Sequence, residues 1–184
     1  MQEISQQTEQ TEVIGYPITL KKFIILDLIT FGVFEIIWAF KHFRALKGKG
    51  KAKTFAAMVF ALFLPISLFD MLKEYESKSA ATACPISYNK YLLGVSFFML
   101  SLIIKVVSNA PTIPDWVTFV ITPLSLIPLL FVQRKINLLN TTLRPGVPFA
   151  PPMTWKHWVG LVIGVVVLLV MVGASALMGN SPSP

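Results

Sequence analysis

Charged side chains are scarce in this sequence. They make up 14% of the 184 residues, whereas apolar residues make up 54%. Ordinary soluble domains carry about 25% charged residues. A water-soluble core of this size cannot bury so much apolar surface, so we expect most of it to face lipid or other membrane segments.

Residues that build reactive sites are also few. The single cysteine, Cys84, excludes an internal disulfide. The two histidines, His42 and His157, lack the further ligands that a metal site or a haem pocket needs, so solvation at the membrane interface is the favoured interpretation. The sequence contains no glycine-rich phosphate loop and no catalytic triad pattern. It therefore predicts no metal or cofactor site and gives no support for an enzyme.

The apolar residues are grouped in five segments. A membrane-spanning helix needs about 20 residues, and the fifth segment alone reaches that length comfortably. The third and fourth are near the lower limit, and the first two are interrupted by charge or proline. In order, the segments are 23–40, 55–69, 91–107, 116–132 and 158–177.

The distribution of basic residues constrains the topology, because Lys and Arg accumulate on the cytoplasmic side of membrane proteins. If all five segments crossed, the 16 basic residues would divide almost evenly between the two sides. If the first two segments enter and leave by one face, all but one share a side, and this arrangement is favoured. Gly32 and Pro65 supply the turning points that it needs. An alternative, with the first segment crossing and the N-terminal tail outside, leaves three basic residues on the opposite side.

The first segment contains a short motif between Thr30 and Lys41. It reads Thr-Phe-Gly-Val-Phe-Glu-Ile-Ile-Trp-Ala-Phe-Lys. This stretch of about a dozen residues resembles a pattern, Thr-x-Gly-x-aromatic-x-x-x-Trp-x-aromatic-basic, of small bacterial inner-membrane proteins without an assigned activity. The resemblance implies a multi-pass protein of the bacterial inner membrane and implies no catalytic residue.

A cluster of cations follows this motif, in a predicted basic loop at 41–53. Such a loop fixes the cytoplasmic side, and it can also bind anionic lipid headgroups at about 1 kcal/mol per charge. Trp38 and Phe40 are expected at headgroup level just before it. The candidate lipid-binding residues are Lys41, Arg44, Lys47, Lys49, Lys51 and Lys53.

Asp27 and Glu35 are the sharpest functional candidates, because ionisable groups within apolar membrane segments are costly and often mark an ion or proton site. On one helix they would lie about 80° apart. The favoured alternative is that a shallow segment keeps both carboxylates near the headgroups, paired with Lys21, Lys22 or Lys41.

Two further patterns concern helix surfaces. Gly160, Gly164 and Gly173 form a candidate helix-packing face in the fifth segment, because small residues allow helix backbones to approach closely. Amide side chains at 133, 137 and 140 form a stripe on one helical face. Exposure of this stripe to water is favoured over a partner interface or a polar cavity.

The predicted fold is therefore an all-α integral membrane protein with two short re-entrant or interfacial segments, followed by three transmembrane helices. We expect an accessory or scaffolding subunit of a larger membrane complex that contacts anionic lipid, with no nucleic-acid partner. The alternative is a small ion- or proton-coupled transporter component that uses Asp27 and Glu35. The predicted regions are a flexible tail at 1–20, short intramembrane segments at 21–72, a cytoplasmic loop at 73–90, a transmembrane region at 91–178 and a disordered end at 179–184.

Overall fold

The fold is all-helical throughout the part of the chain that the computed structural model describes. The described residues are 14–30, 32–48, 50–82 and 85–145, with 150, 154, 155, 158, 159, 162 and 166 near the C-terminus. The regular elements in residues 14–145 are α1 (Leu20–Ile29), α2 (Val33–Lys47), α3 (Lys51–Leu62), α4 (Leu64–Ala80), α5 (Lys90–Ser108), α6 (Asp115–Ile121), a 3₁₀ helix (Thr122–Ser125) and α7 (Leu126–Leu143). The predicted fold class is thus confirmed at the level of all-α.

Each of the first two apolar segments is divided into two helices. Gly32, with φ of +81°, separates α1 from α2, as expected of a residue without a Cβ. Phe63 separates α3 from α4, and Pro65 occupies the first turn of α4. The Ser67 hydroxyl donates to the Phe60 carbonyl at 2.6 Å. Seven residues of straight helix span about 10 Å, so this hydrogen bond requires a sharp bend.

Contacts between helices establish their directions. Phe23 of α1 stacks on Trp38 of α2, across the turn that joins these helices. The Lys78 ammonium near the end of α4 donates to the Leu46 carbonyl near the end of α2 at 2.5 Å. Glu76 forms an ion pair of 2.5 Å with Lys90 at the start of α5.

Because of these contacts, α2 and α4 finish at the end of the bundle where α5 begins. At this end α7 finishes and α1 begins, because Asn140 near the end of α7 donates to the Ile14 carbonyl before α1. Lys51 begins α3 shortly after α2 ends, so α3 begins there too. We call this end the basic end. Among the described residues, every Lys and Arg except Lys105 lies toward it. The opposite end contains the α1–α2 turn, the α3–α4 bend and the segment that joins α5 to α6, and we call it the apolar end.

The core lies between α2, α4 and α7 and includes the segment before α1. Trp38, Phe43, Leu68, Leu72 and Ile136 are all fully buried there. By contrast, large apolar side chains are exposed along α3 and α5 and at the α3–α4 bend. They include Phe55, Leu62, Phe63, Ile66, Leu92, Val95, Leu102 and Val106.

Among the described residues, α5 alone is long and apolar enough to cross a membrane, with a mean hydropathy of 2.0. At about 1.5 Å per residue, its 19 residues extend about 28 Å. The described residues therefore do not contain the three spanning helices that the sequence predicts. The predicted segment 116–132 is divided among α6, the 3₁₀ helix and α7, with Pro123 in the first turn of the 3₁₀ helix. Most of the predicted segment 158–177 lies outside the described residues.

The predicted basic loop at 41–53 is much shorter in the structure. Residues 41–47 continue α2, and Lys51 begins α3. Gly48, with φ of +83°, and Gly50, with φ of +139°, allow the tight connection. The cations are therefore side chains of two packed helices and not of a loop. Both helices extend through the charged residues because each also has apolar residues that pack into the core.

Candidate functional site

The basic end presents cations in two different settings. The Lys41 ammonium donates to the Tyr16 hydroxyl at 3.0 Å and lies 4.2 Å from the centre of its ring. The Lys47 ammonium lies 4.4 Å from the centre of the Phe60 ring. Arg44, Lys51 and Lys53 are exposed, and the described residues provide no ion pair to any of them. Lys49 lies outside the described residues. The exposed cations at the α2–α3 corner are therefore the most accessible to an anionic surface.

Asp27 and Glu35 are brought together by the turn at Gly32. Asp27 lies on the last turns of α1 and Glu35 in the first turn of α2. Asp27 is only 2% exposed, and its Oδ1 atom has no hydrogen-bond partner in the described part of the molecule. The Ser125 hydroxyl, from the end of the 3₁₀ helix, lies 2.8 Å from Glu35 Oε1. We call these three residues the carboxylate site.

Burial determines the protonation of this site. Desolvation and then the negative charge of Asp27 raise the pKa of Glu35 to about 8, against the lowering effect of the hydrogen bond from Ser125. Desolvation also raises the pKa of Asp27 to about 6, against the lowering effect of the Glu35 backbone N–H. Neither carboxylate forms an ion pair within the described residues, so the expected pairing with lysines at the headgroups is not observed.

A second group of buried polar residues surrounds His42, and we call it the histidine network. His42 Nε2 lies 3.1 Å from Gln133 Oε1, which also accepts a hydrogen bond of 2.6 Å from the Trp38 indole. His42 Nδ1 contacts the Tyr75 hydroxyl and accepts a bond of 3.4 Å from the Tyr16 backbone N–H. These partners assign the imidazole proton to Nε2.

The histidine network corrects two sequence-based predictions. Trp38 was expected at headgroup level and His42 at a solvated interface, but both are fully buried. Phe40 is half-buried and packs against the core. Each of the two buried residues has a polar atom that needs a partner, and Gln133 supplies one to both. Desolvation lowers the pKa of His42 to about 3, although the Gln133 hydrogen bond opposes this effect.

The amide stripe on α7 is also buried, contrary to the expectation that it faces water. Its three side chains donate hydrogen bonds to the backbone carbonyls of residues 14, 16 and 18, in the segment that precedes α1. Gln133 donates to the Tyr16 carbonyl at 3.3 Å, Asn137 to Ile18 at 2.8 Å and Asn140 to Ile14 at 3.0 Å. The Ile14 N–H returns a bond to Asn140 Oδ1 at 3.0 Å.

Sequence reasoning missed Ser125 and Tyr75 as members of these sites, and it favoured exposure to water for the amide of Gln133. The signal that could have identified Gln133 is the position of its amide directly after the apolar run Leu129–Val132. An amide buried in such surroundings requires partners elsewhere in the fold. The predicted packing residues Gly160, Gly164 and Gly173 lie outside the described residues, as do Cys84 and His157.

No family profile, curated protein or solved structure matches the chain. Among the described residues, no group of three or more His, Cys, Asp or Glu side chains is arranged to hold a metal ion.

Proposed function

We propose that the protein is an integral membrane protein that serves as an accessory or scaffolding subunit and binds anionic lipid at its basic end. The observation that carries this proposal is the separation of charge along the bundle. The described Lys and Arg residues, apart from Lys105, lie toward one end, while large apolar side chains are exposed along α3 and α5 and at the α3–α4 bend. Such a separation matches a bilayer with one cytoplasmic surface.

In the proposed arrangement, α5 crosses the bilayer from the basic end. The helix pairs α1–α2 and α3–α4 enter and leave at that same end, with the α1–α2 turn and the α3–α4 bend within the apolar region. The exposed Leu62, Phe63 and Ile66 at the bend support this placement, because three adjacent apolar side chains avoid water there. The broken helix from α6 through α7 returns the chain to the cytoplasmic side.

Lipid contact is assigned to Arg44, Lys51 and Lys53, which are exposed at the corner between α2 and α3. Each cation near an anionic membrane surface contributes about 1 kcal/mol, so the three together correspond to about a hundredfold in lipid affinity. Lys41 and Lys47 contribute less because each already lies over an aromatic ring.

The subunit role is supported by apolar surface that the described residues leave uncovered. A groove of about 440 Å³ between α5 and α7 is lined almost entirely by apolar side chains, including Leu93, Leu100, Ile127 and Phe131. Together with the exposed face of α3, it offers packing positions for helices of a neighbouring subunit.

Topology is tested with single cysteines placed in a Cys84→Ser background. Labelling with a membrane-impermeant thiol reagent should modify Ser77→Cys and Thr142→Cys from one side of sealed vesicles and Asn109→Cys from the other. Phe63→Cys should resist the reagent from both sides. Modification of Ser77→Cys and Thr142→Cys from opposite sides would contradict the proposed arrangement.

Lipid binding is tested by the amount of anionic phospholipid that the purified full-length protein retains in mild detergent. The triple variant Arg44→Gln/Lys51→Gln/Lys53→Gln should retain far less than the wild type. Lys105→Gln, which removes a cation from the opposite end, is the matched control and should retain the wild-type amount. Equal retention by both variants would exclude a specific role for the α2–α3 corner.

The subunit role is tested by purification from the native membrane in mild detergent. Companion proteins should co-purify at a fixed ratio, and Gly160→Leu should release them if the predicted small-residue face is the contact. Val162→Phe adds four carbon atoms, as Gly160→Leu does, at an exposed position of the same segment and is the control. A single homogeneous species from the wild-type membrane would argue against the accessory role.

A further inference from the structure

Asp27 is exceptional among the buried polar side chains of the described residues. Its Oδ1 atom is the one buried side-chain oxygen or nitrogen without a hydrogen-bond partner in that part of the chain. A buried carboxylate oxygen without a donor is energetically costly, and native structures retain few such atoms. Since the residue is 2% exposed, bulk water does not satisfy it. Within the described residues nothing donates to this atom, so the negative charge of an ionised Asp27 is poorly stabilised there.

The position of Glu35 restricts which ligand the site can hold. The charge of Asp27 acts electrostatically on the Glu35 carboxyl across the Gly32 turn, so two negative charges would share one poorly hydrated region. Like charges at short range cannot both ionise easily, and a pair of carboxylates commonly holds one proton between its members.

Ser125 is arranged to accept either protonation state of Glu35. Its hydroxyl lies 2.8 Å from Glu35 Oε1 and also 2.8 Å from the Thr122 carbonyl, but it has one hydrogen to donate. When Glu35 is ionised, Ser125 donates to the carboxylate. When Glu35 is protonated, Ser125 donates to Thr122 and its oxygen accepts the carboxylic acid hydrogen.

We propose that Asp27, Glu35 and Ser125 form a binding site for one exchangeable proton near the apolar end of the bundle. A proton from water adds to a carboxylate oxygen of the pair, so that two carboxylates become one carboxylate and one carboxylic acid. The charge of the pair changes from −2 to −1. One O–H bond breaks in the hydronium ion that delivers the proton, one O–H bond forms on the carboxyl group, and a water molecule is released. Glu35 is half-buried and Asp27 is 2% exposed, so Glu35 is the more accessible member of the pair.

The charged surroundings of the site are simple. On α1, Lys22 lies more than one turn before Asp27, and on α2 the next charged residue after Glu35 is Lys41. The 3₁₀ helix contributes Ser125 and Thr122, which do not titrate. Within the described residues, Asp27 is the sole charged group that shifts the Glu35 carboxyl. Its titration is therefore expected to report on the pair, with no lysine as an intermediary.

This inference goes beyond the accessory role. It names the ligand that a proton-coupled activity would use, and it stands whether or not the basic end binds lipid. Lipid binding is tested at the basic end and proton binding near the apolar end. A negative result for one proposal therefore leaves the other unaffected.

The experiment is infrared difference spectroscopy on the full chain reconstituted in lipid vesicles, with pH as the variable. The wild type should show a carboxylic acid C=O band that disappears as the pH rises through about 8, the value expected for Glu35. Asp27→Asn/Glu35→Gln should abolish the band at neutral pH. Asp70→Asn, which removes an exposed carboxylate on α4, is the matched control and should leave the band unchanged.

Three outcomes would overturn the proposal. They are absence of an acid band in wild-type protein near neutral pH, persistence of the band in the double variant, and loss of the band on addition of Na⁺ at constant pH. The last result would assign the site to a metal cation. If the double variant fails to fold, Glu35→Gln alone decides, because it removes the higher-titrating group and keeps the Asp27 side chain.

Discussion

The histidine network and the carboxylate site are both buried and polar, yet they are satisfied to different degrees. In the histidine network, Gln133 and Tyr75 complete the hydrogen bonds of His42 and Trp38. In the carboxylate site, Asp27 Oδ1 has no partner in the described residues. A complete network favours one rigid arrangement, whereas an incomplete one favours a change of protonation state. We therefore assign a structural role to the first and a ligand-binding role to the second.

The largest expected effect breaks the histidine network. Gln133→Leu leaves the Trp38 indole N–H, the His42 Nε2–H and the Tyr16 carbonyl without their partner. Each buried polar group without a partner costs about 1–3 kcal/mol, so the free energy of unfolding should fall by at least about 3 kcal/mol. Denaturant unfolding in detergent measures this loss. Asn109→Ala removes an exposed amide at the end of α5 and should cost little, and an equally small loss for Gln133→Leu would show that the network is not structural.

The next largest effect tests the close contact between the N-terminal segment and Tyr75. A Cβ at Gly15 would lie 2.1 Å from the Tyr75 hydroxyl, and its φ of +81° is unfavourable for alanine. Gly15→Ala should cost about 3 kcal/mol, from backbone strain of about 1 kcal/mol and overpacking.

Gly32→Ala is a matched control for Gly15→Ala. Gly32 has the same φ of +81°, but a Cβ there would meet nothing within 4 Å. It should therefore cost only the backbone strain of about 1 kcal/mol. Equal losses of unfolding free energy for the two variants would show that Tyr75 tolerates displacement.

The histidine network and the carboxylate site should change the stability of the protein with pH in opposite directions. The pKa of His42 is lowered in the folded protein, so its contribution is present above its ordinary value of 6.5 and is lost as the pH falls toward about 3. The pKa values of Asp27 and Glu35 are raised, so their contribution is present at low pH and is lost as the pH rises to about 6 and about 8. Stability should therefore decline on both sides of a maximum.

Asp27→Asn/Glu35→Gln should remove the decline on the alkaline side and preserve the decline on the acid side. Thermal unfolding in detergent across this pH range gives the comparison. The Asp70→Asn variant should retain both declines. An unchanged alkaline limb in the double variant would mean that these carboxylates do not control stability there.

The smallest effect concerns Ser125. Its hydrogen bond lowers the pKa of Glu35, so Ser125→Ala should move the midpoint of the carboxylic acid band to higher pH with little loss of stability. Ser101→Ala removes a hydroxyl that bonds only the Phe97 carbonyl on α5, and it should leave the midpoint in place. A midpoint that moves equally in both variants would mean that Ser125 does not act on Glu35.

Local chemistry explains which predictions from sequence are confirmed. Glycine permits positive φ, and Gly32 does divide the first apolar segment. Proline favours the first turn of a helix, and Pro65 follows the break in the second segment. The predicted apolar segment 91–107 corresponds closely to α5. In each case the cause lies within a few residues of the feature.

The burial of Trp38, His42 and the α7 amides could not be predicted in this way. Their partners are distant along the chain: Gln133 is 95 residues from Trp38, and Asn137 is 119 residues from Ile18. From the sequence alone, a tryptophan before a run of lysines fits a membrane interface as well as it fits a protein core. The covering elements are the N-terminal segment and α7, and their positions depend on packing.

The amino-acid sequence by itself determined the helical class, the two interruptions and the asymmetric placement of cations, because these depend on composition, backbone preference and spacing. Only the tertiary structure decided which polar groups are buried and which of them have partners. A hydrogen bond forms between atoms that are close in space, and the fold brings Glu35 to Ser125 across 90 residues of chain. The same packing that completes the histidine network leaves one oxygen of Asp27 without a hydrogen-bond partner among the described residues.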